Sequence, residues 1–261
     1  MDLHHLLSGH PWETSILHFD RVTSTNLMLQ EMARQGAPEG TVIFADSQSG
    51  GMGRLGRSFH SPAGAGIYMS VLLRPGCNPQ ELMHLTCAVA VAVHKAIENV
   101  IGVQMGIKWV NDLIYNDRKL AGILTKLSVD PGTGLVDWAI VGIGINCSPA
   151  AFPPELDSIV TCLERVVDGP VDRTVLAAEL VRQLEQMCRK LFTAKAETMA
   201  HYRKSCAVIG EKVWLIRGDE RTSATVLDVD NDGGLVVQGD NAMVWTVNSG
   251  EITLRKQNSA V

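Results

Sequence analysis

No C-x-x-C pair occurs in this chain. Its six cysteines, at 77, 87, 147, 162, 188 and 206, stand apart. That excludes a zinc ribbon and offers no small-domain disulfide framework. The thiols read as reduced, buried small hydrophobes. No apolar stretch nears the ~18 residues that a membrane span needs. The N-terminus lacks a basic region followed by an apolar core, so no signal peptide is expected. Positive charge is not in excess: the net charge is -5 and the pI about 5.9. That argues against bulk nucleic-acid binding, which needs a basic face, and leaves open a local basic patch. Neither a Walker-type G-x-x-x-x-G-K-[ST] loop nor a dinucleotide fingerprint is present. These absences leave a reducing-compartment, cytoplasmic protein with no membrane or nucleic-acid partner.

The 261 residues are 46% hydrophobic and 20% charged, an ordinary globular composition with ample material for a core. Residues 1–15 carry His4, His5 and His10 without regular spacing and read as a terminal arm. Strands are expected at 16–20, 41–47, 66–73, within 106–115, at 119–129 and at 135–146. Asp130-Pro-Gly-Thr-Gly134 supplies a hairpin turn between the last two. Helices are expected after Thr23-Ser-Thr-Asn26, from Pro79 to about Val100, and over 157–167, 172–193 and 195–206. Residues 149–154 form a loop. Adjacent strands joined by hairpins, with helices set apart, point to an α+β fold, a mixed sheet with helices packed against it. From Gly210 the pattern changes to short, evenly spaced strands at 212–216, 222–227, 235–238, 243–247 and 251–254. Those suggest a small C-terminal barrel, with a domain boundary near 208.

Five clusters carry chemistry. Gln48-Ser-Gly-Gly-Met-Gly-Arg-Leu-Gly-Arg57 follows an apolar strand. Its glycines allow close backbone approach, and its arginines suit an anion. Alone it reads equally as a surface hairpin. Ser24-Thr25-Asn26 caps a helix or bonds a polar ligand. Lys108-Trp-Val-Asn-Asp112 includes an Asx-turn candidate. In Lys119 to Leu124, a lysine enters an apolar strand and calls for an anionic partner, unless it lies on an exposed edge. Val141-Gly-Ile-Gly-Ile-Asn146 puts two missing side chains on one strand face, a slot for a planar ligand or a close packing contact.

In this order and spacing the clusters resemble the biotin–protein ligases. Their pattern is S-T-N, Q-x-x-G-R-G-R-x-G-R-x-W, K-W-P-N-D, K-x-x-G-I-L and G-I-G-I-N. The match spans about residues 16–254. Three positions depart: Met52 stands for an arginine, Phe59 for a tryptophan and Val110 for a proline.

The resemblance implies the biotin/lipoate ligase catalytic fold over residues 1–208 and an SH3-like barrel over 209–261. It implies that biotin is activated by ATP and Mg²⁺ as biotinyl-5′-AMP. The acyl group then passes to a lysine of a biotin carboxyl carrier protein. It implies catalytic roles for Lys119, bridging the biotin carboxylate and the α-phosphate, and for Arg54. Ser24, Thr25, Asn26 and Gln48 hold the polar ends of biotin, Gly51, Met52 and Gly53 line the loop, and Gly122 and Gly142 leave room. Arg54, Arg57, Phe59, Lys108, Trp109, Asn111 and Asn146 form the adenylate set, and Asp112 attracts Mg²⁺ or the incoming lysine. The loss of an arginine at Met52 implies either a weaker hold on the intermediate or replacement of that arginine by Arg57 or another base. The loop near 49–59 is expected to close on ligand. A monomer or a homodimer is compatible with the resemblance.

Two relatives in chemistry compete. Lipoate–protein ligases carry an R-R-x-S-G-G-G loop that is missing here. A DNA-contacting biotin regulator needs an N-terminal module for which residues 1–15 are too short. A non-catalytic biotin-binding protein is the third alternative, raised by Met52.

Overall fold

The computed structural model describes residues 3–149, 152, 153, 156 and 158–248, and the backbone of 253–256. Residues 3–15 are packed turns rather than an arm. Leu7 N–H donates to Leu3 O at 3.0 Å, which sets both side chains on one face of a helical turn. Leu3, Leu7 and Trp12 are buried in the main core. Hydrophobic residues spaced four apart explain the departure from the expected arm.

Seven strands form the first sheet: β1 (Ile16–Val22), β2 (Val42–Gln48), β3 (Gly66–Leu73), β4 (Gly106–Lys108), β5 (Asp112–Tyr115), β6 (Arg118–Val129) and β7 (Val136–Asn146). Their order is β1-β2-β3-β7-β6-β5-β4. β1 and β2 run parallel, with α1 (Thr25–Arg34) crossing between them, and every other neighbouring pair is antiparallel. The sheet is therefore mixed, as the sequence predicts. β3 is buried along its whole length, and β7 nearly so. Their near-continuous apolar runs belong in the centre of a sheet covered on both faces.

Alternation along the strands sorts two cores. Ile43, Leu72, Trp138 and Ile140 face α1, meeting Leu29 and Ala33. Val42, Phe44, Val71, Leu73, Ala139 and Val141 face the other way, into the larger core with the helix α2 (Leu85–Ile101). Burying a side chain such as Phe44 contributes roughly 1.5–3 kcal/mol. α3 (Leu163–Val167), α4 (Arg173–Lys190) and α5 (Lys195–Ser205) follow in the chain, and α4 and α5 pack on α2.

Two helix expectations change. The segment from Pro79 splits into a tight turn (Pro79–Leu82) and α2. Asn78 and Glu81 close that turn with reciprocal caps, and α-helical bonding resumes with Ala88 N–H to His84 O. The helix expected from 157 starts at Leu163 instead. Its forerunner is drawn onto β6 just beyond the end of β7: Lys119 N–H donates to Ile159 O and Thr161 N–H to Lys119 O, both at 2.8 Å.

The second sheet is antiparallel, in the order β11-β10-β9-β8-β12. Its strands are β8 (Lys212–Arg217), β9 (Glu220–Val229), β10 (Leu235–Gly239), β11 (Val244–Val247) and β12 (Thr253–Lys256). Glu251 and Ile252 of the last expected strand, and Ala150, Ala151 and Pro154 of the expected loop, lie outside the described residues. Val213, Leu215, Ala224 and Val226 join the larger core, so apolar packing is continuous from one sheet to the other. Among the described residues, no helix is long and apolar enough to cross a membrane.

Candidate active site

The sheet face that α1 covers extends past the N-terminus of that helix. There the strands carry glycine where side chains would stand. Gly122 on β6 lies opposite Gly144 on β7, and Gly142 on β7 lies opposite Ser70 on β3. A Cβ at Gly142 would fall 2.3 Å from Asn26 Oδ1, and one at Gly144 would fall 2.5 Å from the Phe59 ring. The missing side chains create a slot, with Asn26 and Phe59 already leaning into it. About 40 Å³ of free volume remains, room for a few waters.

One end of the slot is a buried polar network. Ser24 precedes α1 yet makes no capping bond with its side chain, although it is only 3% exposed. Ser70 Oγ donates to Asn26 Oδ1 at 2.5 Å and lies 2.7 Å from Thr25 Oγ1. Thr25 N–H donates to Gln48 Oε1 at 2.9 Å, Gln48 Nε2 donates to Ser61 Oγ at 3.0 Å, and Ser61 Oγ donates to Phe59 O at 2.9 Å. Connected and buried, such groups hold fixed positions, because any break leaves an unsatisfied polar atom.

The glycine–arginine loop crosses the slot. Gly51 packs under Phe59, accepting its N–H at 2.9 Å, and a Cβ there would meet Phe59 O at 2.3 Å. Met52 pairs with Ser58, and Gly53 N–H donates to Arg57 O at 2.7 Å. The turn passes through Leu55 at φ +55° and Gly56 at φ +72°. Leu55 is a branched residue in the left-handed region, which is a strained position. A second space of about 450 Å³ opens beside this loop, lined by Leu55, Arg57, Thr86, Val110, Thr125 and Lys126. It shares Met52, Gly53, Arg54, Ile123 and Leu124 with the slot.

The other end of the slot is cationic. Lys119 Nζ donates to Asp112 Oδ1 at 2.8 Å and stands 5.9 Å from the centre of the Phe59 ring. Arg54 Nη1 donates to Asn111 Oδ1 at 3.1 Å. Asn111 is itself pinned, its Nδ2 donating to Ile123 O at 3.0 Å and to Asp112 Oδ1 at 3.1 Å. Burial lowers the Arg54 guanidinium from its usual value, and the Asp112 charge opposes that shift. A guanidinium so placed keeps its proton at working pH. Two partly buried cations at one end and amide and hydroxyl groups at the other fit a ligand with an anionic end and a polar, uncharged end.

The slot brings together Ser24, Thr25, Asn26, Gln48, Met52, Gly53, Arg54, Phe59, Asn111, Lys119, Gly122 and Gly142. These come from segments as far apart as residues 24 and 142. Asp112 stands behind Lys119, and Arg57 lines the second space. Five candidates line neither space: Gly51 under Phe59, Asp112 behind Lys119, and Asn146, Lys108 and Trp109. Asn146 lies on the glycine face of β7, one step beyond Gly144. Lys108 lies at the end of β4. Trp109 is 5% exposed and donates from Nε1 to Gly233 O at 2.9 Å, away from the slot. Gly144 is the second of the two missing side chains expected from the sequence, whereas Met69, Ile123, Leu124 and Ile143 as lining residues, and Ser70 as their polar neighbour, were missed by sequence reasoning. Ser70 had a signal: a lone hydroxyl in the apolar run 66–73 needs buried partners.

Comparison with known proteins agrees with this geometry. Residues 18–146 match the model of the biotin/lipoate A/B protein ligase family, and residues 208–255 match that of the biotin protein ligase C-terminal domain. A Mycobacterium tuberculosis biotin–[acetyl-CoA-carboxylase] ligase is 31% identical over 235 residues, 88% of this chain and 85% of that protein. The bifunctional ligase/repressor BirA of Bacillus subtilis is 38% identical over 180 residues, 68% of this chain. That alignment takes in 55% of the BirA chain, so this protein matches about half of that relative's length. Among solved structures, the biotin protein ligase of Aquifex aeolicus in complex with biotin and ATP superposes with a TM-score of 0.80 at 27% identity, covering 93% of this chain and 99% of that one. Ordered motifs, one slot and full-length relatives converge, and the chain belongs to the biotin/lipoate A/B protein ligase family.

Proposed function

We propose that this protein joins biotin to a lysine of a biotin carboxyl carrier protein by way of biotinyl-5′-AMP. The observation that carries the reading is the two-ended slot. Asn26, Thr25 and Gln48 offer amide and hydroxyl groups to the ureido ring, while Lys119 and Arg54 wait at the anionic end.

In the first step a biotin carboxylate oxygen bonds to the α-phosphorus of ATP, and the bond to pyrophosphate breaks. Two anions must meet, so fixed cations in a site with little water lower the barrier. Lys119 Nζ lies between the two groups, Arg54 supports the phosphate side, and the Gly51–Gly53 backbone completes the cradle. In the second step the uncharged amine of the carrier lysine attacks the acyl carbon, AMP leaves with the bonding pair, and the amine loses a proton. Asp112 is a candidate to attract that amine. It is also the carboxylate next to the slot that suits Mg²⁺, which takes one or two carboxylates and completes its shell with phosphate oxygens and water. Asp112 would hold the ion, which would neutralise charge on the nucleotide phosphates.

Six free cysteines accord with action in a reducing cytoplasm. The two family matches support a catalytic unit over 1–208 and a separate unit from 209. The test mixes pure protein with ATP and a biotin carboxyl carrier domain, adds biotin in one arm and lipoate in another, and follows the carrier's mass. Addition of one biotinyl group is expected. Addition of lipoyl instead, with none from biotin, would replace this reading with the lipoate one.

A further inference from the structure

Trp109 sits in the connection between β4 and β5, directly before the residues that hold the cations. Its indole turns away from the slot. Nε1 donates to Gly233 O at 2.9 Å, a buried bond between segments 124 residues apart. Gly233 belongs to the turn between β9 and β10 in the second sheet. That turn is self-bonded: Asp230 Oδ1 accepts from Asp232 N–H at 2.9 Å and Gly234 N–H at 2.8 Å. It is also fastened to α5, where Arg203 Nη1 donates to Val229 O at 2.9 Å and to Asn231 Oδ1 at 3.1 Å, and Lys195 pairs with Asp232. Gly233 adopts φ +84°, and a Cβ there would lie 2.9 Å from Cys87 Sγ at the start of α2. The turn is wedged between α2 and Trp109 with no slack.

The next residue is held from the same side. Tyr202, fully buried on α5, donates to Val110 O at 3.2 Å. Residues 109 and 110 are thus clamped from behind, and residues 111 and 112 carry Arg54 and Lys119 in front. We infer that the β9–β10 turn of the second sheet positions Asn111 and Asp112 through Trp109, so that a carbonyl outside the catalytic sheet sets where the two slot cations stand. Trp109 is then a positioning residue, not a contact for the adenylate. The inference rests on the proposed reaction for its kinetic arm only.

Trp109→Phe keeps the apolar bulk and removes the one donor, leaving Gly233 O buried and unpaired. Two measurements read the result. Without ligands, trypsin is expected to cut after Arg54 and Arg57 several-fold faster than in wild type, because Asn111 no longer holds Arg54 in place. With ATP and biotin, the burst of acyl adenylate is expected to keep its amplitude and slow by about tenfold or more, as misplaced reacting groups do. Biotin affinity should fall by less than the burst rate, since Asn26, Thr25 and Gln48, which hold the uncharged end, are not linked to Trp109. A burst of reduced amplitude at unchanged rate would mean a smaller folded fraction and would overturn the inference, as would an unchanged burst. Unchanged trypsin cleavage overturns it even if wild type forms no acyl adenylate, an outcome that by itself would count against the proposed reaction alone.

Discussion

Lys119 and Asp112 face each other across neighbouring strands, Nζ to Oδ1 at 2.8 Å, with the lysine side chain 34% exposed and the carboxylate 25%. The pair answers the question raised by a lysine entering an apolar strand: it has an anionic partner. Held this way, the ammonium is fixed by one carboxylate and open to a second anion on its other side. Fixed donors aimed at developing charge contribute about 10²–10³-fold each in rate. Lys119→Ala should lower adenylate formation by about that factor, measured as pyrophosphate release. Asp112→Asn, which keeps hydrogen-bonding capacity and loses the charge, should fall between that variant and wild type. Near-normal turnover in Lys119→Ala would remove the lysine from the mechanism.

The slot glycines separate two effects. A Cβ at Gly144 meets the Phe59 ring first, a side chain that can swing aside, whereas a Cβ at Gly142 meets Asn26. Asn26 is buried and bonded to Ser70, so moving it breaks the polar network. Gly142→Ala should therefore cost about 1–3 kcal/mol of stability, the penalty for unsatisfied buried polar groups. Gly144→Ala should leave the melting temperature near wild type and weaken biotin binding by about tenfold or more. Calorimetry and thermal unfolding of the two variants check both halves. Equal stability losses would show that the two positions are packed alike.

What the sequence reveals about this site depends on residue type. Glycines at alternate strand positions announce a missing wall, and Gly122 and Gly142 both form one. Side-chain direction is harder to read. Trp109 lies within a motif that reads as adenylate-binding, but its indole faces the second sheet, because only tertiary packing decides which way a residue in a tight connection points. Asn146 shares a face with the slot glycines and still falls one step beyond them, a matter of register along the strand. Leu3 and Leu7 read as part of an arm because a short irregular segment shows too little periodicity to declare a buried face. The pairing of Ile159 and Thr161 with Lys119 overrode a helical pattern in the same way: the stretch of β6 that β7 does not reach supplies backbone partners that sequence alone does not reveal.

Met52 lines both the slot and the wider space beside it and is 36% exposed. In the proposed reaction it contributes an apolar side chain at a point where two anionic groups would be covered. Met52→Arg would add a charge-assisted hydrogen-bond donor there, an interaction in the range of about 1.5–3 kcal/mol. Release of acyl adenylate from the enzyme should slow by about tenfold or more, followed by trapping free intermediate with an excess of a small amine. Release at the wild-type rate would show that the arginine does not reach the intermediate from this position.

Acid stability turns on a histidine pair away from the slot. His94 on α2 is 3% exposed, with Nε2 3.0 Å from Met105 O. A carbonyl only accepts, so Nε2 carries the proton and Nδ1 faces His201 Nε2 at 3.4 Å. Burial lowers the His94 pKa below its ordinary value, against weaker raising effects from the Met105 carbonyl and Glu98. His201 is lowered too, by burial first and then by His94. The folded state therefore binds protons less readily than the unfolded chain. As pH falls below the ordinary histidine value near 6.5, the unfolded chain takes up protons that the folded protein refuses, and stability drops until the folded-state value is passed. The slope is at most about 1.4 kcal/mol per pH unit for each proton involved. His94→Gln retains a donor for Met105 O and removes one such proton. Its melting temperature should fall less steeply than wild type between pH 7 and the acid limit, and parallel curves would place the acid sensitivity elsewhere, at His10 or His84, whose pKa values burial also lowers.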